Sequence, residues 1–166
     1  MKQFLETTLT IDSVTLPVRF TQSSIQEVLL PLLRRLTVMQ RAAGRRLLVF
    51  VGAPAGAGKS VLLAYLEQLS YSQPDLCPVQ ALGLDGFHYP NAYLQSHRFI
   101  YNGCEYGMRQ VKGWPETFDV EKFAATLSML RQNDTVSCPI YDRNVHEPVE
   151  NGLLVTADIV FVEGLW

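Results

Sequence analysis

Two short stretches combine residue types that can do chemistry. The first is GAPAGAGKS, Gly52 to Ser60. From Ala53 it fits a relaxed pattern of a small residue, four more residues, then Gly-Lys-Ser; the strict form has glycine where Ala53 stands. Small residues let successive backbone N–H groups wrap an anion. Gly56 and Gly58 permit positive φ and a close approach. A helix opening near Lys59 points its N-terminus at that anion. Lys59 can neutralise the β and γ phosphates of a nucleotide, and Ser60 can ligate Mg²⁺. The nucleotide-binding set is therefore Ala53, Pro54, Ala55, Gly56, Ala57, Gly58, Lys59, Ser60 and Val61. The bland alternative is a flexible glycine-rich turn. The flanking strand and amphipathic helix favour the phosphate reading.

The second stretch is LDGFHYPN, residues 84 to 91, where an apolar run ends on Asp85. In open parallel α/β sheets, ligands bind beyond the carboxyl ends of the strands. A carboxylate there can take a proton from a hydroxyl that attacks a γ-phosphate. Phe87, His88 and Tyr89 would wall such a pocket against water, the competing acceptor. Asp85 could instead form a turn or cap the short Asn91–Gln95 segment. Beside a phosphate loop, the catalytic reading is the stronger. A lone acid, Glu163, ends four apolar strand residues, a costly place unless it faces a site.

The elements that position these residues read as follows. Lys2 to Phe20 alternates and turns at Asp12-Ser13, which predicts a β-hairpin. Ser24 and Glu27 fit a capping box. Ile25, Val28, Leu29, Leu32, Leu33, Leu36 and Met39 form one helical stripe, with Pro31 predicting a kink or break. Arg34, Arg35, Arg41, Arg45 and Arg46 read as a solvated face and helix C-terminal charge, in preference to an anion site. Leu47–Val51 is a strand expected to be covered on both faces. A helix from about Lys59 to Ser70, a strand Val79–Leu84, a helix Val120–Arg131, a short extended piece Val136–Tyr141 and a strand Ile159–Val162 follow. Strand, loop, helix, strand begins a parallel α/β sheet.

The 166 residues suffice for one domain with a real core, and nothing divides off as a second domain. Fourteen Lys and Arg against sixteen Asp and Glu leave a net charge of −2, which advertises no nucleic-acid or anionic-membrane surface. No stretch is long enough to span a bilayer. Cys77, Cys104 and Cys138 are an odd number without a C-x-x-C pair, and no secretory segment opens the chain. Reduced thiols in a cytoplasm follow. His88, His97, His146 and the cysteines show no ligand-pair spacing for zinc.

DGFHYPN, KGWPETFD (Lys112–Asp119), PIYDRNVH (Pro139–His146) and VFVEGLW together resemble the P-loop kinase family of pantothenate kinase, uridine kinase and phosphoribulokinase. The resemblance runs from about Leu47 to Trp166 and points in particular to the YggC-like branch, described as nucleoside-triphosphate-binding kinases. It implies an α/β P-loop NTPase fold of kinase type, three-layered around a central parallel sheet and preceded by an N-terminal β-hairpin and helix. Residues 1–45 would belong to the same unit as a kinase core over 46–166. It implies ATP and Mg²⁺ as cofactors, Lys59 and Asp85 as catalytic groups with Asp85 the general base, and Ser60 and Glu163 at the metal. Tyr141 and His146 match the uridine-kinase Y-D-x-x-x-H pattern that lines the acceptor pocket; as a bare sequence feature His146 reads equally as a surface histidine. Pro148 stands where uridine kinases carry arginine, which argues against a nucleoside acceptor. Relative to pantothenate kinase, Leu94–Lys112 is longer, and either shapes a different acceptor pocket or forms a surface loop.

The family order places the third strand (159–162) between the first (47–51) and second (79–84). The first strand's outer edge is then bare, because two further strands, the lid arginines and part of the adenine pocket would follow Trp166. The N-terminal hairpin covers that edge, a partner chain does so as in a homodimer, or the chain is a truncated product. The expected function is transfer of the ATP γ-phosphate to a hydroxyl of a nucleoside-, sugar- or pantothenate-like metabolite, with poor turnover by residues 1–166 alone. The rivals are a non-catalytic or degenerate nucleotide-binding module and a switch GTPase, against which DGFHYPN is the stronger argument.

Overall fold

The computed structural model describes residues 3–11, 14–54 and 56–164. The Asp12-Ser13 turn, Ala55 of the phosphate loop and the terminal Leu165-Trp166 lie outside the described residues. Residues sort into two compact units, 1–82 with 155–166 and 83–154. The boundaries fall at strand ends with no change of composition, which is why no linker signal marks them in the sequence.

In the first unit, β1 (Phe4–Ile11) and β2 (Val14–Thr21) pair antiparallel, Phe4 against Thr21 through Ile11 against Val14. The central sheet has the order β3 (Leu47–Gly52), β9 (Ile159–Gly164), β4 (Val79–Gly83). β3 and β9 are parallel, with Leu47 beside Ile159 and Gly52 beside Gly164. The third strand is thus the central one, as the family order implies. Ile159 to Val162 are all buried, the pattern of a strand covered on both faces. β3 differs from expectation. Leu47, Val49 and Val51 pack against the core, but Phe50 is 61% exposed, so only one face of β3 is covered. The hairpin pairs with no strand of the central sheet among the described residues. It packs instead on α3 (Lys59–Tyr71), where Phe20 stacks on Tyr65 at 4.0 Å and Thr7 bonds Gln68.

The long helix also departs from the pattern. Its N-cap is Thr21, whose side chain accepts from the Ser24 N–H at 3.1 Å, and not Ser24. α1 (Gln22–Ser24) leads into a π-helical turn, Ile25–Leu29, in which the Leu30 N–H reaches back to the Ile25 carbonyl. α2 (Leu30–Ala43) then carries Pro31 at its start and ends on Gly44 at φ 62°. The extra residue in the turn shifts the bonding register just where proline lacks a donor, so the helix continues without a break. The buried stripe narrows to Ile25, Leu29, Leu33 and Leu36; Val28, Leu32 and Met39 are exposed on its flanks. Arg46 is no free surface charge, since its Nε donates to the Ala157 carbonyl at 2.7 Å.

The second unit holds α4 (Asn91–Ser96), the hairpin β5 (Arg98–Tyr101) and β6 (Cys104–Gly107), α5 (Val120–Gln132), and the pair β7 (Val136–Asp142) and β8 (Glu147–Val155). Leu94–Lys112 is therefore built around a hairpin. Asn102 at φ 51° and Gly103 at φ 77° make its two-residue turn. Asp119 caps α5 by accepting from the Lys122 N–H at 2.9 Å. Among the described residues no helix is long and apolar enough to cross a membrane.

Replacing Thr21 by Ala removes the cap and should lower stability by about 1 kcal/mol, whereas Glu27→Ala, with no cap to lose, should change it by less than about 0.5 kcal/mol. Paired urea unfolding curves test this.

Candidate functional site

The first unit holds the glycine-rich loop. β3 ends at Gly52, the chain turns with Gly56 at φ 75° and Gly58 at φ 84°, and α3 starts at Lys59. Both glycines adopt backbone that a side chain would strain. The Ala57 N–H bonds the Pro54 carbonyl at 3.2 Å, and the Leu62 N–H bonds the Gly58 carbonyl at 3.0 Å, which starts the helix. Lys59 Nζ donates to the carbonyls of Ala53 (2.7 Å) and Pro54 (3.2 Å) and has no acidic partner among the described residues. Neutral acceptors thus hold the ammonium over the loop while its charge stays unbalanced, a state that favours an incoming anion.

Ser60, in the first turn of α3, donates its hydroxyl proton to Glu163 Oε1 at 2.9 Å. The parallel register sets Glu163 beside Val51, the next-to-last residue of β3. Sheet pairing therefore delivers the carboxylate to the root of the loop. The pair offers two hard oxygen donors of the type Mg²⁺ accepts, and Mg²⁺ takes few protein ligands because phosphates and water complete its shell. Among the described residues no cluster of three or more His, Cys, Asp or Glu could hold a metal alone.

In the second unit, Leu84–Phe87 forms a 3-10 turn directly after β4. The Asp85 carbonyl accepts the His88 N–H at 3.2 Å and the His88 ring at Nδ1, 3.1 Å away. A carbonyl only accepts, so Nδ1 carries the proton. Asp85 Oδ2 meets Arg143 Nη2 at 3.4 Å, a half-exposed pair that contributes at most about 1 kcal/mol. Gly86 is obligatory for packing, because a Cβ there would sit 2.7 Å from the Pro139 carbonyl oxygen of β7. Glycine thus lets the turn that bears Asp85 lie against β7.

His88, Tyr89 and Tyr141 gather near this turn, but Phe87 does not line an opening. Its ring is 1% exposed and packs edge-on against Phe123 at 5.0 Å, so it anchors the turn in the unit's interior. The His88 ring lies 3.8 Å from Phe118 and 5.8 Å from Tyr141. Burial pushes its pKa below 6.5, partly offset by the Asp85 carbonyl and charge. Tyr89 stacks on Tyr93 at 4.4 Å, which stacks on His97 at 3.6 Å. The exposed ring of His146 fits a surface histidine, one of its two sequence readings. His146 sits at φ 54°, and its carbonyl accepts from Asn91 Nδ2 (3.0 Å) and Lys112 Nζ (3.2 Å). Lys112 also donates to Asn91 Oδ1 at 2.9 Å and lies 5.1 Å from the Tyr141 ring centre. Lys112 and Arg143 carried no role in the sequence reading, although both lie inside its motifs; a lysine and an arginine in polar loops give no signal until their neighbours are known.

No protein-family model matches this chain. It is 39% identical over 159 residues to the uncharacterized protein YggC of Escherichia coli K12, covering 95% of this chain and 63% of that protein. It is 28% identical over 121 residues to pantothenate kinase of Enterococcus faecalis, covering 71% of this chain and 36% of the relative. Among solved structures, a "putative fructose transport system kinase" from Silicibacter aligns with TM-score 0.59 and 25% identity, covering 79% of this chain and 63% of that one. The chain thus spans less than two thirds of the length of each of these relatives.

Two outcomes follow from the second unit. Gly86→Ala should lower stability by about 1–3 kcal/mol, read as a shifted urea midpoint. Because the fold holds His88 below its unfolded pKa, the unfolded chain binds the extra proton first. Stability is therefore full above about pH 6.5 and falls as pH drops through the window below it. Unfolding curves from pH 7 to 5 should show that fall, and His88→Asn should flatten it.

Proposed function

Homologous to YggC and to pantothenate kinase, and built on the α/β fold of the P-loop kinases, this chain is, we propose, an ATP-dependent small-molecule kinase that transfers the γ-phosphate to a hydroxyl of a metabolite. The observation that carries the reading is the bond from Ser60, in the first turn after a glycine-rich loop, to Glu163 on the neighbouring strand. A flexible glycine turn needs no such carboxylate.

In this reading free backbone N–H groups of the glycine-rich loop, to which Pro54 contributes none, and the start of α3 hold the phosphates, and Lys59 balances charge on the β and γ groups. Ser60 and Glu163 would hold Mg²⁺, which supplies further charge neutralisation on the phosphates. The acceptor hydroxyl oxygen bonds to the γ-phosphorus as the bond to the bridging oxygen of ADP breaks. Asp85 takes the hydroxyl proton. Tyr89, Tyr141 and His88 shape the acceptor's surroundings and limit water. No disulfide joins Cys77, Cys104 or Cys138, which suits a cytoplasmic setting.

The test has two parts. Calorimetric titration should show Mg·ATP binding that Lys59→Ala abolishes. Transfer from γ-labelled ATP, screened over hydroxyl-bearing acceptors, should fall at least about 100-fold in Asp85→Asn with ATP binding intact. Binding without transfer to any acceptor would make this a nucleotide-binding module, and no binding by folded protein would overturn both.

A further inference from the structure

We propose that Asn102, at the tip of the hairpin β5–β6, is a modification site at which the folded chain deamidates itself through a cyclic imide, in preference to its other Asn-Gly pair, Asn151-Gly152. The inference lies wholly within residues 83–154 and stands whether or not the kinase reading holds.

Asparagine is a labile residue. Its reactivity depends on the residue that follows, whose backbone nitrogen must reach the asparagine Cγ. Glycine alone presents no Cβ to hinder that approach. Of the five asparagines, two precede glycine, Asn102 and Asn151. Asn91, Asn133 and Asn144 precede Ala, Asp and Val. Two of those amides are also tied, Asn91 Nδ2 to the His146 carbonyl at 3.0 Å and Asn133 Nδ2 to the Met129 carbonyl at 3.1 Å. The two Asn-Gly pairs look alike by sequence and by exposure, and even by backbone, with Asn102 at φ 51° and Asn151 at φ 55°.

What separates them is the freedom of the glycine. A five-membered ring fixes the asparagine ψ, so closure requires the glycine to move. A Cβ at Gly103 would meet nothing within 4 Å, and the Gly103 N–H carries no hydrogen bond among the described residues. Gly152 lies inside β8, which pairs with β7. The Ile140 side chain covers it so closely that a Cβ there would sit 2.3 Å from Ile140 Cγ1. Moving Gly152 means displacing Ile140 and opening a strand, whereas moving Gly103 disturbs an exposed turn. Local opening is least costly at such turns.

The step balances with water as the one co-reactant. The Gly103 nitrogen bonds to Asn102 Cγ as the bond from Cγ to the side-chain nitrogen breaks. That nitrogen leaves as ammonia, taking the Gly103 N–H proton. Water then opens the imide. Attack at Cγ gives aspartate, and attack at the main-chain carbonyl carbon gives isoaspartate, in which the chain runs through Cγ. Either product adds a negative charge. Isoaspartate also lengthens a two-residue turn by one main-chain atom. That turn sets Tyr101 opposite Cys104 and 5.6 Å from the Trp114 ring, so the aromatic packing of the hairpin changes with it.

The test ages the full folded chain at mildly alkaline pH beside the same chain in urea, and follows both sites by peptide mass spectrometry. Trypsin separates them, since cleavage after Arg98 and Arg109 isolates Phe99–Arg109 and cleavage after Arg143 leaves Asn151 in a different peptide. The expected result is conversion at Asn102 at least about tenfold faster than at Asn151 in the folded chain, with the two rates drawing together in urea. Asn102→Gln, which would have to close a larger ring, should remove the mass gain from Phe99–Arg109 and leave Asn151 as it was. Equal conversion of the two sites in the folded chain, faster conversion at Asn151, or an inert Asn102 while the urea sample reacts would overturn the proposal. So would a gap of the same size in urea, which would trace the preference to sequence.

Discussion

The register of one strand underlies the rest of the first unit. β9 lies between β3 and β4, and its pairing with β3 sets Glu163 beside Val51. That placement lets Glu163 accept from Ser60 and so ties the first turn of α3 to the centre of the sheet. A slip of one residue would turn Glu163 into the apolar layer and one of Ile159–Val162 out of it. Four fully buried side chains make that slip expensive, at roughly 1.5–3 kcal/mol for each apolar side chain exposed. The Ser60–Glu163 contact is thus positioned by hydrophobic burial several residues away.

A second constraint recurs in both units. Lys59 and Lys112 are each held by neutral oxygens and by no carboxylate among the described residues. Other cations are paired with carboxylates, as in Arg19 with Glu6, Arg98 with Glu105 and Lys122 with Glu150. Such exposed pairs are worth little. The two lysines stand out because each is oriented by several bonds. Under the proposed function, Lys59 faces the donor's phosphates.

Much of the fold was legible because its signals are local or strongly periodic. The glycine loop between an apolar run and an amphipathic helix, the alternating N-terminal hairpin and the buried run Ile159–Val162 each announce themselves within ten or so residues. Other features needed knowledge of neighbours. Phe50 reads as buried until only one face of β3 proves covered. Gly86 carries no signal of its own until the Pro139 carbonyl oxygen is found 2.7 Å from where its Cβ would be. Phe87 reads as a pocket wall until Phe123 claims it. The hairpin of β5 and β6 is a different matter, since Asn102-Gly103 is a strong two-residue turn signal that the length of the surrounding segment obscured. Among candidate-site residues, carboxylates and glycines in motifs could be singled out from type and spacing. Lys112 and Arg143 were not, because their contacts to Asn91, His146 and Asp85 depend on distant segments.

The most direct measurement of the central claim is ATP affinity with and without Mg²⁺, in the unaltered chain and in Glu163→Gln. If Glu163 serves the metal side of a nucleotide site, Mg²⁺ will tighten ATP binding in the unaltered chain. Glu163→Gln will then match its metal-free affinity while losing most of that gain. An equal Mg²⁺ effect in both proteins would contradict the account, leaving the Ser60–Glu163 bond as a structural tie alone.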